Sequence, residues 1–170
     1  MHGHTSFEIR IDGSDDNVKA INDVIKDIIT DESFDEGSEI EIEETYKCVD
    51  LEEITDMAIK MVKSAPEASF EMNGVIDTSE SAGELMDFAF AYDSGRLTRQ
   101  SSDWYIETCI EDYESYDEFI DEWEDEAGDL SEEQFEELRD ENEFVFFVET
   151  EEGTVVMNEV PLSHVITINC

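Results

Sequence analysis

Basic residues are scarce in this sequence. Nine Lys and Arg stand against 49 Asp and Glu, a formal charge of -40 on 170 residues. Nucleic acid and anionic membranes carry the same sign, so that balance argues against direct contact with either. A charge of this size repels itself and lowers the stability of the compact state, so folding alone gives no reason to keep it. The expected partner is basic. Cysteine is limited to Cys48, Cys109 and Cys170, an odd and widely spaced set without a CxxC pair. Such a set fits free thiols in a reducing compartment better than a disulfide framework. Apolar runs of membrane-spanning length are absent, and the opening MHGHTSFEIRIDG has no signal-peptide pattern. The expectation is a soluble, cytoplasmic protein.

Motifs of catalysis are missing as well. There is no phosphate-cradling glycine loop, no HExxH, no GxSxG and no Cys/His nucleophile pair. His2 and His4 lack an obvious third metal ligand and read as a frayed chain start, and His164 lies in a strand pattern. Asp12 to Asn17 opens like a calcium loop but has no glycine at its sixth position, and its twelfth, Asp23, falls inside a helix pattern. Asp121 to Glu132 fails similarly. No enzyme activity, cofactor or metal is expected.

Apolar residues are not lacking: they make up 39% of the chain and ten are Phe, which disordered acidic proteins do not show. Their spacing gives the elements. Ser6–Asp12 alternates as a strand, and a helix with Ser14 or Asp15 as N-cap follows, its stripe formed by Val18, Ile21, Ile25, Ile28 and Ile29. After a polar connection over 31–37, Glu39–Cys48 is a second strand. Asp50 with Glu53 starts a helix that Pro66 stops, and Phe70–Ile76 is a third strand, weakened by Gly74. A small polar linker over 78–83 leads to a hairpin that turns at Asp93-Ser94-Gly95 and runs back through Arg96–Ile106. Two helices come next, with start signals at Ser115/Glu118 and Ser131/Gln134 and Gly128 between them. The strand EFVFFVE (143–149), a turn at Glu151-Glu152-Gly153, and strands near Val155–Met157 and Val165–Ile168 complete the chain, with Pro161 between the last two. The fold class is α+β, a mostly antiparallel sheet with helices on one side. Residues 1–78 form a βαβαβ half and 79–170 the rest, within one compact domain. Arg96 and Arg99 are expected to neutralise neighbouring carboxylates inside the fold, the alternative being that the hairpin edge contacts a partner.

The stretch Tyr113–Glu143 holds most of the functional signal. Tyr116, Phe119, Ile120, Trp123 and Ala127, then Phe135 and Leu138, recur at steps of three and four and mark buried stripes. Asp117, Glu118, Asp121, Glu122, Glu124 and Asp125 fall on the outer face of the first helix. Glu133, Glu136, Glu137, Asp140 and Glu141 do so on the second. Read as one helix, Ser115–Ala127 spans roughly 20 Å at ~1.5 Å per residue, so its seven carboxylates give one charge per roughly 3 Å of axis. One strand of duplex DNA presents a phosphate every ~3.4 Å. Trp123 and Tyr113 are expected at the margin, adding shape-specific contact.

In size, compact α+β character and acidic helix faces, densest over Asp112–Glu143, the chain resembles the nucleic-acid-mimic inhibitors of phages and mobile elements, including anti-restriction and anti-CRISPR proteins. The resemblance implies occupation of the basic channel of a CRISPR effector or restriction enzyme in a bacterial cytoplasm. Two other readings are an acidic, immunity-type partner of a basic protein without mimicry, and a salt-adapted domain. Isoleucine is about twice as frequent as alanine, unlike the Ala- and Val-rich composition expected of haloarchaeal proteins.

Overall fold

A computed structural model describes residues 3–30, 32–78, 84–127, 129–141, 143–150 and 153–170. The fold is α+β, and the described residues form nine strands in mostly antiparallel pairing and five α-helices. The chain forms two compact units, residues 1–102 with 162–170, and residues 103–161. These limits differ from the 1–78 and 79–170 halves read from composition. The strands on either side of residue 78, Ser69–Asp77 and Leu85–Asp93, pair with each other within the first unit.

In the first unit the strands β1 (His4–Asp12), β2 (Glu39–Thr45), β3 (Ser69–Asp77), β4 (Leu85–Asp93), β5 (Arg96–Ser101) and β9 (His164–Ile168) pair in the order β2-β1-β3-β4-β5-β9. Alternation decides the faces. Phe7, Ile9 and Ile11 are buried with Ile40, Ile42, Phe70, Met72, Phe88 and Phe90, while Glu8, Arg10, Glu41 and Glu71 of the same strands are exposed. The helices α1 (Asp15–Ile28) and α2 (Leu51–Ser64) pack on each other and cover the apolar face with Ile21, Ile25, Ile54, Met57 and Met61. Their caps are those the sequence signals. Ser14 Oγ accepts from the Asn17 amide, and Asp50 accepts from Glu53 while Glu53 accepts from the Val49 amide. The buried Asn22 side chain bonds Gly37 through both its ends, tying the connection after α1 back to the helix.

The hairpin turns through Ser94 (φ 53°) and Gly95 (φ 80°), the two positive angles that a two-residue turn needs to match the twist of its strands. The return strand does not run through to Ile106 as one piece. It stops at Ser101, where Ser102 and Asp87 exchange hydrogen bonds through the Ser102 amide and hydroxyl, and β6 (Tyr105–Cys109) begins anew in the second unit. Arg99 donates to Glu52 at 3.2 Å and to Thr55 at 3.0 Å of α2, the neutralising role expected of it. On α1, Lys19 and Asp23 form an exposed pair at 2.9 Å. The hydrogen bond, then the charge attraction, raises the Lys19 pKa; the same hydrogen bond chiefly lowers that of Asp23.

The second unit sets the three-stranded order β6-β7-β8, with β7 at Phe144–Thr150 and β8 at Gly153–Met157. A 3₁₀ turn (Ile110–Asp112) and the helices α3 (Tyr116–Glu122), α4 (Glu124–Ala127) and α5 (Glu132–Glu141) complete it. Phe119, Phe135, Phe147, Val145 and Ile110 are its fully buried centre. The Phe119 ring lies 5.2 Å from Phe135 and 5.9 Å from Phe147. Ser115 and Ser131 cap α3 and α5. The Ser131–Gln134 pair is reciprocal, at 3.2 Å from the Gln134 amide to Ser131 Oγ and 3.0 Å from the Ser131 amide to Gln134 Oε1. Ser131→Ala is expected to lower stability by about 1 kcal/mol, read by thermal melting, because an orphan amide of the first turn loses its partner. Among the described residues no helix is long and apolar enough to cross a membrane.

His4 opens β1 within 3.8 Å of Glu44 and 3.5 Å of Asp77, which corrects its reading as frayed chain. His2, Gly128, the 79–83 linker and the Glu151-Glu152 turn lie outside the described residues. The calcium-like segment Asp12–Asn17 is the turn into α1 and its cap.

Candidate functional site

Charge is unequally shared between the units. Residues 103–161 hold 24 acidic residues against Arg139 alone, a net -23 over 59 residues. The first unit carries the other 25 acidic and eight basic side chains, a net -17 over 111. No ion pair occurs within 103–161 among the described residues. Arg139 lies 5.9 Å over the Phe135 ring, a cation–π contact that directs its charge inward.

All eleven carboxylates marked in the sequence are exposed: Asp117, Glu118, Asp121 and Glu122 on α3, Glu124 and Asp125 on α4, and Glu133, Glu136, Glu137, Asp140 and Glu141 on α5. They do not lie on two straight helices. The helix expected over Ser115–Ala127 ends at Trp123 (φ -114°, ψ 35°), leaving α3 with seven residues and α4 with four. The break has a packing cause. Trp123 turns inward, its ring centroid 4.7 Å from Phe147 and its Nε1 donating to the Tyr113 hydroxyl at 2.7 Å. Tyr113 is only 6% exposed and forms an edge contact with Phe119. Tyr113 therefore lies in the core of this unit, and Trp123, half-buried, packs against that core. The apolar side chains that do reach the surface here are Phe144 (37% exposed) and Val155 (40%), on the sheet face opposite Phe147.

Helix α5 keeps the geometry that the first helix loses. It is unbroken over ten residues, about 15 Å at ~1.5 Å per residue. Its exposed carboxylates fall in two neighbouring rows, Glu132–Glu136–Asp140 and Glu133–Glu137–Glu141, each with steps of four. Six charges over that length give one per ~2.5 Å of axis, between the ~3.4 Å of one DNA strand and the ~1.7 Å of the duplex. Glu132 completes the first row and was missed in sequence because it sits in the first turn, where acid reads as a helix-start signal. Two of the marked residues have local work to do. Glu118 accepts from the Glu114 amide at 2.8 Å, and Glu141 accepts from Asn158 at 3.3 Å.

A second acidic face was legible as the alternation EIEIE but went unmarked. Glu39, Glu41 and Glu43 of β2 project to the open side of the first unit's sheet, with Glu8 opposite Glu41 and Arg10 between Glu39 and Glu71. The chain 32–35 flanks this face and forms a cleft of about 600 Å³ with it. A smaller cleft of about 450 Å³ lies in the second unit between Asp125, Glu126 and Asp129 on one side and Thr154 to Val156 on the other. Among the described residues, no group of three or more His, Cys, Asp or Glu is arranged to hold a metal ion. Cys48, Cys109 and Cys170 are free thiols, and only Cys170 is exposed.

Comparison with protein-family models, curated proteins and solved structures returned no match. Function is therefore argued from the site itself. Exposed carboxylates without compensating cations supply a fixed negative potential.

Proposed function

We propose that the protein is an acidic inhibitor that presents α3, α4 and α5 to the basic nucleic-acid channel of another protein, such as a CRISPR effector or restriction enzyme of a bacterial host. It stands in for DNA or RNA there. The observation that carries this reading is the pair of carboxylate rows on α5, exposed, unpaired by Lys or Arg, and held at nucleic-acid charge density by an aromatic core. Six acid–acid pairs at i,i+4 spacing lie on α3 and α5, Asp117–Asp121 through Glu137–Glu141. At about 0.2–0.5 kcal/mol each they oppose helix formation by about 2 kcal/mol in total. A surface retained against that cost is accounted for by binding. A Lys- or Arg-lined groove that neutralised such a row would release the cations gathered on it, as it releases those condensed on phosphates.

The break at Trp123 favours a second reading. A bent array departs from the regular path of a nucleic-acid strand, and a dedicated basic partner could be fitted to its shape without any mimicry. Fluorescence anisotropy separates the two. A panel of nucleases and repressors with basic channels is loaded with labelled duplex or single-stranded oligonucleotide and titrated with the protein. A mimic displaces the oligonucleotide from several of them, and its own affinity, obtained after allowing for that of the oligonucleotide at each salt, falls between 50 and 200 mM by about 10³-fold if six phosphate sites are matched. Failure to displace from any member overturns mimicry.

A further inference from the structure

Strand β9 differs from the rest of the surface. His164 to Ile168 contain no Asp, Glu, Lys or Arg, although the chain carries -40. Its only partner among the described strands is β5, in a regular register from Leu97↔Ile168 to Ser101↔His164. The nearest charged side chains across that pairing are cations, Arg96 and Arg99, and Arg96 donates to Thr167 Oγ1 at 3.2 Å. Val165 is 59% exposed and Ile166 44%. Adjacent strand residues point to opposite faces, so exposure of both shows that neither face of β9 is covered, and its pairing with β5 alone leaves its outer backbone edge unpaired among the described strands.

Edge strands are ordinarily guarded against pairing by charge, proline, bulges or cover. Here β2, the opposite edge of the same unit, is guarded by Glu39, Glu41, Glu43 and Glu44. In the second unit β8 lies against α4. Among the described residues, strand β9 has no such device and no break in register.

We propose that β9 is a self-association edge, where a second copy of this chain adds its own β9 antiparallel about a twofold axis at Ile166. The occupant follows from sequence and charge. An antiparallel pairing centred there sets Ile166 against Ile166 on one face and Val165 against Thr167 on the other, apolar and β-branched pairs of the kind that stabilise sheets. A basic partner is disfavoured by Arg96 and by the absence of any carboxylate on β9 itself. Of the two edges of the first unit, this is the one at which approach of a second copy brings no carboxylates into direct opposition. Long-range repulsion between two chains of this charge still opposes the dimer, so its salt dependence runs opposite to that of the proposed channel binding: salt screens the repulsion and promotes pairing.

Sedimentation velocity across 5–200 µM (about two decades) at 50 mM and 500 mM NaCl tests this. The expected result is a species of twice the 19.5 kDa chain mass that grows with concentration and with salt. Ile166→Glu, which sets two carboxylates opposite each other at an exposed site, returns the protein to monomer with an unchanged melting profile. Ile166→Cys in a Cys170→Ser background forms an intermolecular disulfide under mild oxidation. A monomer under every condition, or a dimer that survives Ile166→Glu, overturns the proposal. Neither outcome bears on displacement of nucleic acid, so this inference and the proposed function fail separately.

Discussion

Replacing the eleven exposed carboxylates of α3, α4 and α5 by their amides is expected to make the protein more stable and functionally inert at once. Substitution to Gln and Asn preserves size and leaves the Glu118 oxygen able to accept from the Glu114 amide, so the start of α3 survives. Five of the six i,i+4 acid–acid pairs lose both charges, and Glu132–Glu136 loses one. The relief is about 2 kcal/mol, a rise in melting temperature of about 5 °C for a chain of this length. Over the same change, displacement of nucleic acid from a basic channel should weaken by at least about 10³-fold. The opposite signs make the result informative. Unfolding would reduce both quantities, and a surface of solvated, functionless charge would change stability alone. Thermal melting and competitive anisotropy on one preparation read both.

The second large effect is expected at Gly74, in the middle of β3. A Cβ built there would lie 2.4 Å from the Ser6 carbonyl oxygen, 2.6 Å from the Phe7 Cβ and 2.6 Å from the Phe88 ring. Two of those atoms belong to the neighbouring strand β1 and the third to β4, so no single flexible side chain can yield. Phe88 is itself 2% exposed and packs edge-on against Phe90, which leaves its ring no vacant space to enter. Gly74→Ala should lower stability by about 3 kcal/mol, seen as a fall of about 10 °C in melting temperature, despite the general preference of strands for alanine over glycine. A loss under about 1 kcal/mol would mean that the β1-β3-β4 packing is looser than described. In sequence, Gly74 registers only as a weak point in a strand. The reason for it lies 68 residues upstream in Ser6 and 14 downstream in Phe88, brought together by register.

That contrast runs through the whole molecule. Caps at Ser14, Asp50, Ser115 and Ser131 were legible because the physics is local: a side-chain oxygen meets an amide three residues on. Strand faces and helix stripes were legible because period two and period 3.6 leave marks over a few residues. The exposure of all eleven carboxylates followed from the same periodicity. What could not be read was set by long-range packing. Trp123 continues the apolar stripe of a 13-residue helix, yet its ring is drawn onto Phe147 and its indole to Tyr113, and the helix ends there. Tyr113 lies ahead of the helix cap at Ser115, where nothing in the pattern announces burial. The split of Arg96–Ile106 into β5 and β6 is of the same kind, since each part is claimed by a different partner, β9 or β7. The unguarded edge of β9 required strand order, which one sequence does not display.

The central claim is that an ordered scaffold fixes the α5 carboxylate rows for cations on another macromolecule. The most direct test is the slope of log affinity against log salt for whichever channel protein is displaced, measured with the native chain and with Glu132, Glu133, Glu136, Glu137, Asp140 and Glu141 changed to amides. The account predicts a native slope of about -5, flattened by several units in the variant while helix content is retained. Equal slopes for the two proteins, with both folded, would contradict it.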